Sequence, residues 1–303
     1  MSLSVVISTH NRSKSLARTL ASVRSLADEL IVVDSGSTDD TVTVAQKYTP
    51  HVYSKPNNLM LNVNKNFGFT KATSEWILNL DDDEEVTDEL AKEIRTRLRS
   101  VSSDISGFWI PRKNIIFGRW IQHGLWWPDR QLRLFRRGKG SFPQKHVHEY
   151  IAVTGPTATL LSPYIHHNYD SIAQYLEKMQ VIYIENEVQK YVNAKYRVTW
   201  PDAIRFPVSD FLKIYFAQSG YKDGLHGLVL SILQSFYSFI IFAKLWERER
   251  FPEQNMPLSS VLKEFDRSGG EVAYWKITSK MTNTTNPVLK VWYKLLRRYG
   301  RSI

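Results

Sequence analysis

Asp81-Asp82-Asp83-Glu84-Glu85 is a run of five consecutive acids that follows directly on the apolar stretch Trp76-Ile77-Leu78-Asn79-Leu80. Carboxylates packed at one point repel one another, so such a run is either well solvated or holds a cation. Glu84, Glu85, Asp88 and Glu89 stand where a helix starting near Thr87 would welcome negative charge at its N-terminus. Asp81, Asp82 and Asp83 precede that helix and close an apolar run of strand length, so for these three a metal or substrate role is the stronger reading. Mg²⁺ typically takes one or two carboxylates and leaves its other positions to phosphate oxygens and water. Acids at a strand end with such a cation are one way to handle a phosphorylated ligand.

The elements that must position these acids are legible upstream. Residues 3–9 read as a short buried strand, followed by a helix with Leu16, Leu20, Val23 and Leu26 at helical spacing and Asn11 or Ser13 as its cap. A second buried strand, Leu30-Ile31-Val32-Val33-Asp34, ends in the turn-rich Ser35-Gly36-Ser37-Thr38-Asp39-Asp40, which also caps a helix through Val42, Val44 and Ala45. A third strand at Val52-Tyr53 and a helix over residues 64–72 lead into the acidic strand. Strands alternating with helices predict a parallel sheet, whose ligands bind beyond the carboxyl ends of the strands. Residues 9–12, 34–39 and 81–83 all fall there, so three polar clusters should converge on one crevice. Neither G-x-G-x-x-G nor G-x-x-x-x-G-K-[ST] occurs at the first turn, which excludes the usual dinucleotide fingerprint and a P-loop.

At 303 residues and 43% hydrophobic content the chain can bury a full core. Forty Lys and Arg against thirty Asp and Glu give +10, a charge suited to nucleic acid, a membrane surface or a phosphorylated substrate. With no cysteine, disulfides, zinc thiolates and thiol nucleophiles are excluded. The first residues read as a strand and not a signal peptide, so a cytoplasmic location is expected.

From Gly107 the chain is dense in aromatics and bases. Trp109, Trp120, Trp126 and Trp127 lie within nineteen positions, and aromatic faces beside polar side chains suit a sugar ring, stacked bases or a core. Arg130, Arg133, Arg136, Arg137, Lys139 and Lys145 follow with no acid among them; alternation puts Arg133 opposite Leu132 and Leu134, on a solvated strand face or against a diphosphate. The pairs His146/His148 and His166/His167 lack the i, i+4 spacing of H-E-x-x-H, so structural zinc is not supported. After Ser171, an expected N-cap, the chain reads as helical. Residues 224–243 hold no formal charge, but Ser231, Gln234, Ser235 and Ser238 form a polar stripe, which favours a helix packed on the protein or lying in a membrane interface over a span. The last segment, from Val288 to Arg301, carries five bases and no acid and reads as a helix attracted to anionic lipid.

Taken together, Val5-Val6-Ile7-Ser8-Thr9-His10-Asn11-Arg12, Ile31-Val32-Val33-Asp34-Ser35-Gly36-Ser37-Thr38-Asp39 and Leu80-Asp81-Asp82-Asp83-Glu84 resemble the nucleotide-sugar half of family 2 glycosyltransferases of the GT-A fold. Gly118-Arg119-Trp120-Ile121, Trp127-Pro128-Asp129, Gln131-Leu132-Arg133-Leu134-Phe135-Arg136-Arg137, Val147-His148-Glu149 and Lys244-Leu245-Trp246-Glu247 resemble the bacterial lipopolysaccharide-core glucosyltransferase branch. The resemblance implies a mostly parallel α/β sheet with helices on both faces in residues 1–168, holding the donor and acceptor sites, and a helical, membrane-associating region in residues 169–303. It implies a UDP-sugar donor bordered by Thr9 and Arg12, met by Asp34 with Asp39 nearby. Asp81 and Asp83 become the D-x-D pair, with Asp82 between them and Asp83 the more direct ligand of Mg²⁺ or Mn²⁺.

Transfer with inversion needs a base on the acceptor hydroxyl and positive charge on the departing diphosphate. Glu149 is the first choice as base and Asp129 the second; His166 completes the metal or diphosphate shell, and Arg133 and Arg136 neutralise phosphate. Trp120, His123, Trp126 and Trp127 form the acceptor groove for a cell-envelope glycan or glycolipid. The enzyme is expected on the inner face of the cell membrane, bound peripherally to its anionic surface. Two other classes compete. A sugar-nucleotide pyrophosphorylase would carry a Gly-rich basic loop where His10-Asn11-Arg12-Ser13 stands, and a nucleic-acid binder would show a recognisable motif.

Overall fold

The structure, a computed structural model, describes residues 1–57, 61–144 and 149–299. The chain forms two compact units, the first made of Met1–Trp120 and Trp126–Asn168, the second of Ile121–Leu125 and Tyr169–Ile303.

In the first unit the strands are β1 (Leu3–Thr9), β2 (Glu29–Asp34), β3 (Val52–Ser54), β4 (Trp76–Asp81), β5 (Glu84–Glu85), β6 (Gly107–Ile116), β7 (Arg119–Trp120), β8 (Arg130–Arg136), β9 (Gly140–Ser141), β10 (Ala152–Val153), β11 (Thr157–Thr159) and β12 (Tyr164–Tyr169). The helices between them are α1 (Ser13–Val23), α2 (Thr41–Gln46), α3 (Leu61–Lys71) and α4 (Asp88–Ser100). The main sheet runs β3-β2-β1-β4-β8-β6-β12-β5, with β7 and β11 paired to β6. From β3 to β4 the pairing is parallel; β8 then runs antiparallel to both β4 and β6. This is the mostly parallel α/β sheet expected from the strand and helix alternation.

Its strands are apolar on both sides because helices cover both sides. Val5, Ile7, Val32, Leu78 and Leu80 pack with Leu16, Leu20 and Val23 of α1 and Leu90, Ile94 and Leu98 of α4. Val6, Ile31, Val33 and Ile77 pack on the other face with Phe69 of α3 and Ala72. Each large aliphatic side chain so buried contributes about 1.5–3 kcal/mol. The register sets Ser8 beside Asp81 and Thr9 beside Asp34, which brings the three polar strand ends together.

α3 comes unusually close to the sheet. A Cβ on Gly68 would stand 2.5 Å from Val6 Cγ1 and 3.0 Å from Val33 Cγ2, both on stiff β-branched side chains inside the core. Gly68→Ala is therefore expected to destabilise the protein by about 1–3 kcal/mol despite alanine's better helix propensity, as measured by urea denaturation.

Three local expectations are corrected. Arg12 occupies the N-cap position of α1 with no side-chain cap bond, because Asn11 turns its carbonyl to Thr38 N at 2.8 Å instead. α3 starts at Leu61 and buries Asn62 and Asn64. Glu84 and Glu85 are not a helix start but the short strand β5 on β12; Thr87 is the cap of α4, accepting from Leu90 N at 3.1 Å.

The second unit is helical, with α5 (Ile172–Lys178), α6 (Ile184–Asn193), α7 (Asp202–Phe211), α8 (Gly224–Arg248), α9 (Leu258–Asn283) and α10 (Pro287–Tyr299). Ser171 caps α5, its hydroxyl accepting from Gln174 N at 3.2 Å.

Candidate active site

The five acids do not share one environment. Glu84 is fully buried, and Arg133, itself buried, donates from Nη2 to Glu84 Oε1 at 2.5 Å and to Asp81 Oδ2 at 2.6 Å. Lys65 of α3 reaches Asp81 Oδ1 at 2.5 Å from the other side. Burial disfavours the Asp81 carboxylate, but the Arg133 and Lys65 charges outweigh it and hold Asp81 well below the usual carboxylate range. Glu84 behaves oppositely: burial, then the neighbouring Asp81 charge, push it up to about 7 against the pull of Arg133. Asp82 is pushed up to about 7 by burial and then by Asp83, although Thr9 Oγ1 donates to its Oδ2 at 2.7 Å.

Asp83 faces His166, whose Nε2 lies 3.5 Å from Asp83 Oδ1. The ring's protonation follows from its other partner. Asn114 Nδ2 donates to Trp126 O at 2.9 Å and to Asp129 Oδ2 at 3.1 Å, so the other end of that amide is the oxygen, and it stands 2.7 Å from His166 Nδ1. An amide oxygen only accepts, so Nδ1 carries a hydrogen, and Nε2 is the nitrogen that accepts whenever the ring is neutral. A carboxylate and an imidazole nitrogen facing one another, with the far nitrogen fixed through an amide to a second carboxylate, is a donor set suited to a divalent cation. Among the described residues no three His, Asp or Glu side chains converge in this way. Asp81, the other member of the expected metal pair, is engaged here by Lys65 and Arg133.

Asp129 is equally occupied. Its carboxylate accepts from Arg112 Nε at 2.7 Å, from Asn114 Nδ2 and from Gln131 Nε2 at 2.7 Å, and Arg112 Nη2 lies 2.5 Å away. Four donors thus surround this carboxylate, which anchors Asn114. Glu149, the other expected base, is half-buried, with Oε2 accepting from Asn62 Nδ2 at 3.2 Å and from Gln144 N at 2.7 Å. Asn62 and Lys65 lie one turn apart on α3, which sets Glu149 near the acidic strand end. Residues 145–148, with His146 and His148, lie outside the described residues.

On the donor side, buried Asp34 accepts from Gly36 N and Ser37 N at 3.1 Å each, and Ser35 N donates to Thr9 O at 2.9 Å. Asp39 accepts from Thr41 N at 3.0 Å and Ser13 N at 3.4 Å, tying the starts of α1 and α2 together. Arg12 joins the same knot, its N–H donating to Thr41 Oγ1 at 2.9 Å.

The two arginines expected at the diphosphate stand apart. Arg133 is held by Asp81 and Glu84, as above. Arg136 pairs with Trp76 at the opposite end of β4, where it meets Glu75 at 2.5 Å and Ile105 O at 2.9 Å and lies over the Trp76 ring. It stands too far from Asp83 to touch a diphosphate there.

Of the aromatic residues, Trp120 and Trp127 meet edge to face at 5.2 Å, with Lys113 Nζ 4.5 Å from the Trp120 ring centre. Trp126 contributes its carbonyl to Asn114. His123 belongs to the second unit, where buried Asp223 accepts from Gln122 N at 3.2 Å and His123 N at 2.9 Å and lies 3.2 Å from His123 Nδ1. Sequence reasoning assigned no role to Lys65, Asn62, Arg112, Asn114 or Asp223. Only Asn114 carried a signal, an amide set inside a strand of apolar and basic residues.

The chain is similar to several known proteins. The profile described as glycosyl transferase family 2 matches residues 4–153. The lipopolysaccharide core biosynthesis glycosyltransferase LpsC of Rhizobium meliloti (strain 1021) is 26% identical over 253 residues, 81% of this chain and 92% of that protein. An uncharacterized glycosyltransferase of Rickettsia felis is 27% identical over 294 residues, 94% of this chain and 99% of the relative. Among solved structures, S. aureus TarS 1-349 in complex with UDP-GlcNAc aligns over 80% of this chain and 92% of its own with 17% identity and a TM-score of 0.45.

Proposed function

We infer that this glycosyltransferase, whose residues 4–153 belong to glycosyl transferase family 2, inverts the anomeric centre as it moves a sugar from a UDP-sugar to a hydroxyl of a cell-envelope glycan or glycolipid. The similarity to a lipopolysaccharide-core biosynthesis enzyme supports the acceptor class. The observation that carries the reading is the pairing of Asp83 with His166, its tautomer set through Asn114 and Asp129. These two side chains fit Mg²⁺ or Mn²⁺, which when bound supplies positive charge to the departing diphosphate.

The chain's own residues do the rest. Thr9, Arg12, Asp34 and Asp39 shape the strand-end loops into which the nucleoside fits, largely through the main-chain bonds they hold. Lys65 and Arg133 offset the Asp81 charge, which adds to the repulsion that Asp83 exerts on Asp82. Glu149 takes the proton from the acceptor hydroxyl, and Asn62 and Gln144 N fix which oxygen faces away from it. Trp120, Trp126 and Trp127 offer apolar faces to the acceptor sugar.

The test is thermal stabilisation by a panel of nucleoside diphosphates and their sugars with and without Mn²⁺, since a ligand bound only by the folded state raises apparent stability. A metal-dependent shift with a uridine compound is expected; no shift with any nucleotide would remove the donor site. Glu149→Gln is expected to lower turnover about 10²-fold while leaving the nucleotide-induced shift intact. Near-normal turnover in that variant would remove its role as base.

A further inference from the structure

α8 is apolar on both sides: Leu230, Ile241, Phe242 and Leu245 are buried, yet its outward face is apolar as well. Leu225, Ile232, Phe236 and Phe239 recur on one face and are 72%, 52%, 47% and 40% exposed, and Trp246 continues the same line. The serines of the polar stripe point inward. Ser231 Oγ donates to Gly227 O at 2.7 Å, Ser235 Oγ donates to Pro207 O of α7 at 2.7 Å, and Ser238 Oγ donates to the carboxylate of Asp210. A helix on a water-facing surface keeps polar residues on its outward side. The segment Gly220–Arg248 is long and apolar enough to cross a membrane by length and composition. Its serine face is already bonded to the protein, which leaves one apolar face for lipid and describes a helix lying along a membrane surface.

α10 repeats the pattern and adds the sign of the charge. Val288, Val291, Trp292 and Leu295 fall at i, i+3, i+4 and i+7 and are all exposed. Lys290, Lys294 and Arg298 line the adjoining flank at four-residue spacing, and the helix holds no acid. Arg297 turns back over the Tyr274 ring of α9 at 5.6 Å, so the helix is held to its unit by another side. An apolar stripe bordered by bases is complementary to hydrocarbon beneath anionic phosphates. It is not complementary to a second copy of itself, whose bases would repel it.

We propose that the second unit docks on an anionic lipid bilayer through the outward faces of α8 and α10, with Lys290, Lys294 and Arg298 at the phosphates. This deepens the reading of a glycolipid acceptor by naming the residues that hold the enzyme at its source.

The experiment is flotation of the full chain with phosphatidylcholine vesicles made with and without phosphatidylglycerol. Binding is expected only with phosphatidylglycerol and should weaken with added salt. It should fall at least about tenfold in Phe236→Glu, in Val291→Glu/Trp292→Glu and in Lys290→Glu/Lys294→Glu, all surface changes checked for unaltered circular dichroism and Tm. Equal binding to both vesicle types, no binding, or undiminished binding of the variants would overturn the proposal. So would self-association in sedimentation velocity that Trp292→Glu removes, which would give the face to a second copy. Hydrolysis of the donor in vesicle-free buffer reads the transfer site alone, so failure of docking and failure of the proposed reaction are told apart.

Discussion

Replacing Arg133 by Met is expected to destabilise the protein by about 3–5 kcal/mol, more than any other single substitution at the site. The aliphatic stem is kept, so the loss is that of the guanidinium. Arg133 lies in a strand flanked by β4 and β6 and satisfies two carboxylates with one nitrogen. Without it Glu84 is left fully buried beside Asp81 with no cation facing it from β8, and Lys65 alone answers Asp81. The pH dependence identifies the cause. Glu84 already sits at about 7 against its ordinary 4.5, so the folded chain holds a proton that the unfolded chain releases. A raised folded pKa means stability present below the unfolded value and lost as pH rises through the folded one. Losing Arg133 raises Glu84 further and lifts Asp81 from its depressed position. The penalty should therefore be larger at pH 8 than at pH 6 in urea denaturation with a chelator present. A penalty independent of pH would mean that packing, and not charge, is what Arg133 supplies.

Arg133 also marks where the sequence stops being informative. β1, β2 and β4 are readable because burial on both faces leaves continuous apolar runs, and Asp81-Asp82-Asp83 is readable because acids end such a run abruptly. Alternation in β8 places Arg133 opposite Leu132 and Leu134, but in a central strand that opposite face is also covered. What makes burial tolerable is a pair of carboxylates 52 and 49 residues away, which no local pattern announces. Arg136 is the converse case: three residues on, with the same side-chain type, it falls at the far end of the sheet. Lys65 is hidden because α3 lies close to β1 across Gly68 and turns Asn62 and Asn64 inward, so it has no clean apolar face. In α8 the serine stripe was visible as a stripe, but which side it faced depended on hydrogen bonds to α7.

Asp83→Asn is expected to lower kcat/KM about 10³-fold, corresponding to about 4 kcal/mol of lost transition-state stabilisation, while the fold is retained. The main-chain tie at this position, His167 N donating to Asp83 O at 3.0 Å, does not involve the side chain. The amide nearly matches the carboxylate in volume, so the change removes charge and one acceptor and little else. If Asp83 and His166 hold the cation, nucleotide-induced stabilisation in Mn²⁺ should fall to the metal-free level, and His166→Ala should do the same. Asp81→Asn should behave differently, because Asp81 is engaged by Lys65 and Arg133: its metal-dependent shift should persist while its baseline stability falls. Asn114→Ala lies between them, weakening metal affinity about 10–100-fold by releasing the His166 ring. An Asp83→Asn protein that kept a full Mn²⁺-dependent shift would falsify the assignment of Asp83. Were Asp81→Asn then the variant that lost the shift, the cation would have to displace Lys65 or Arg133 from Asp81, and the site would be one that rearranges when its donor binds.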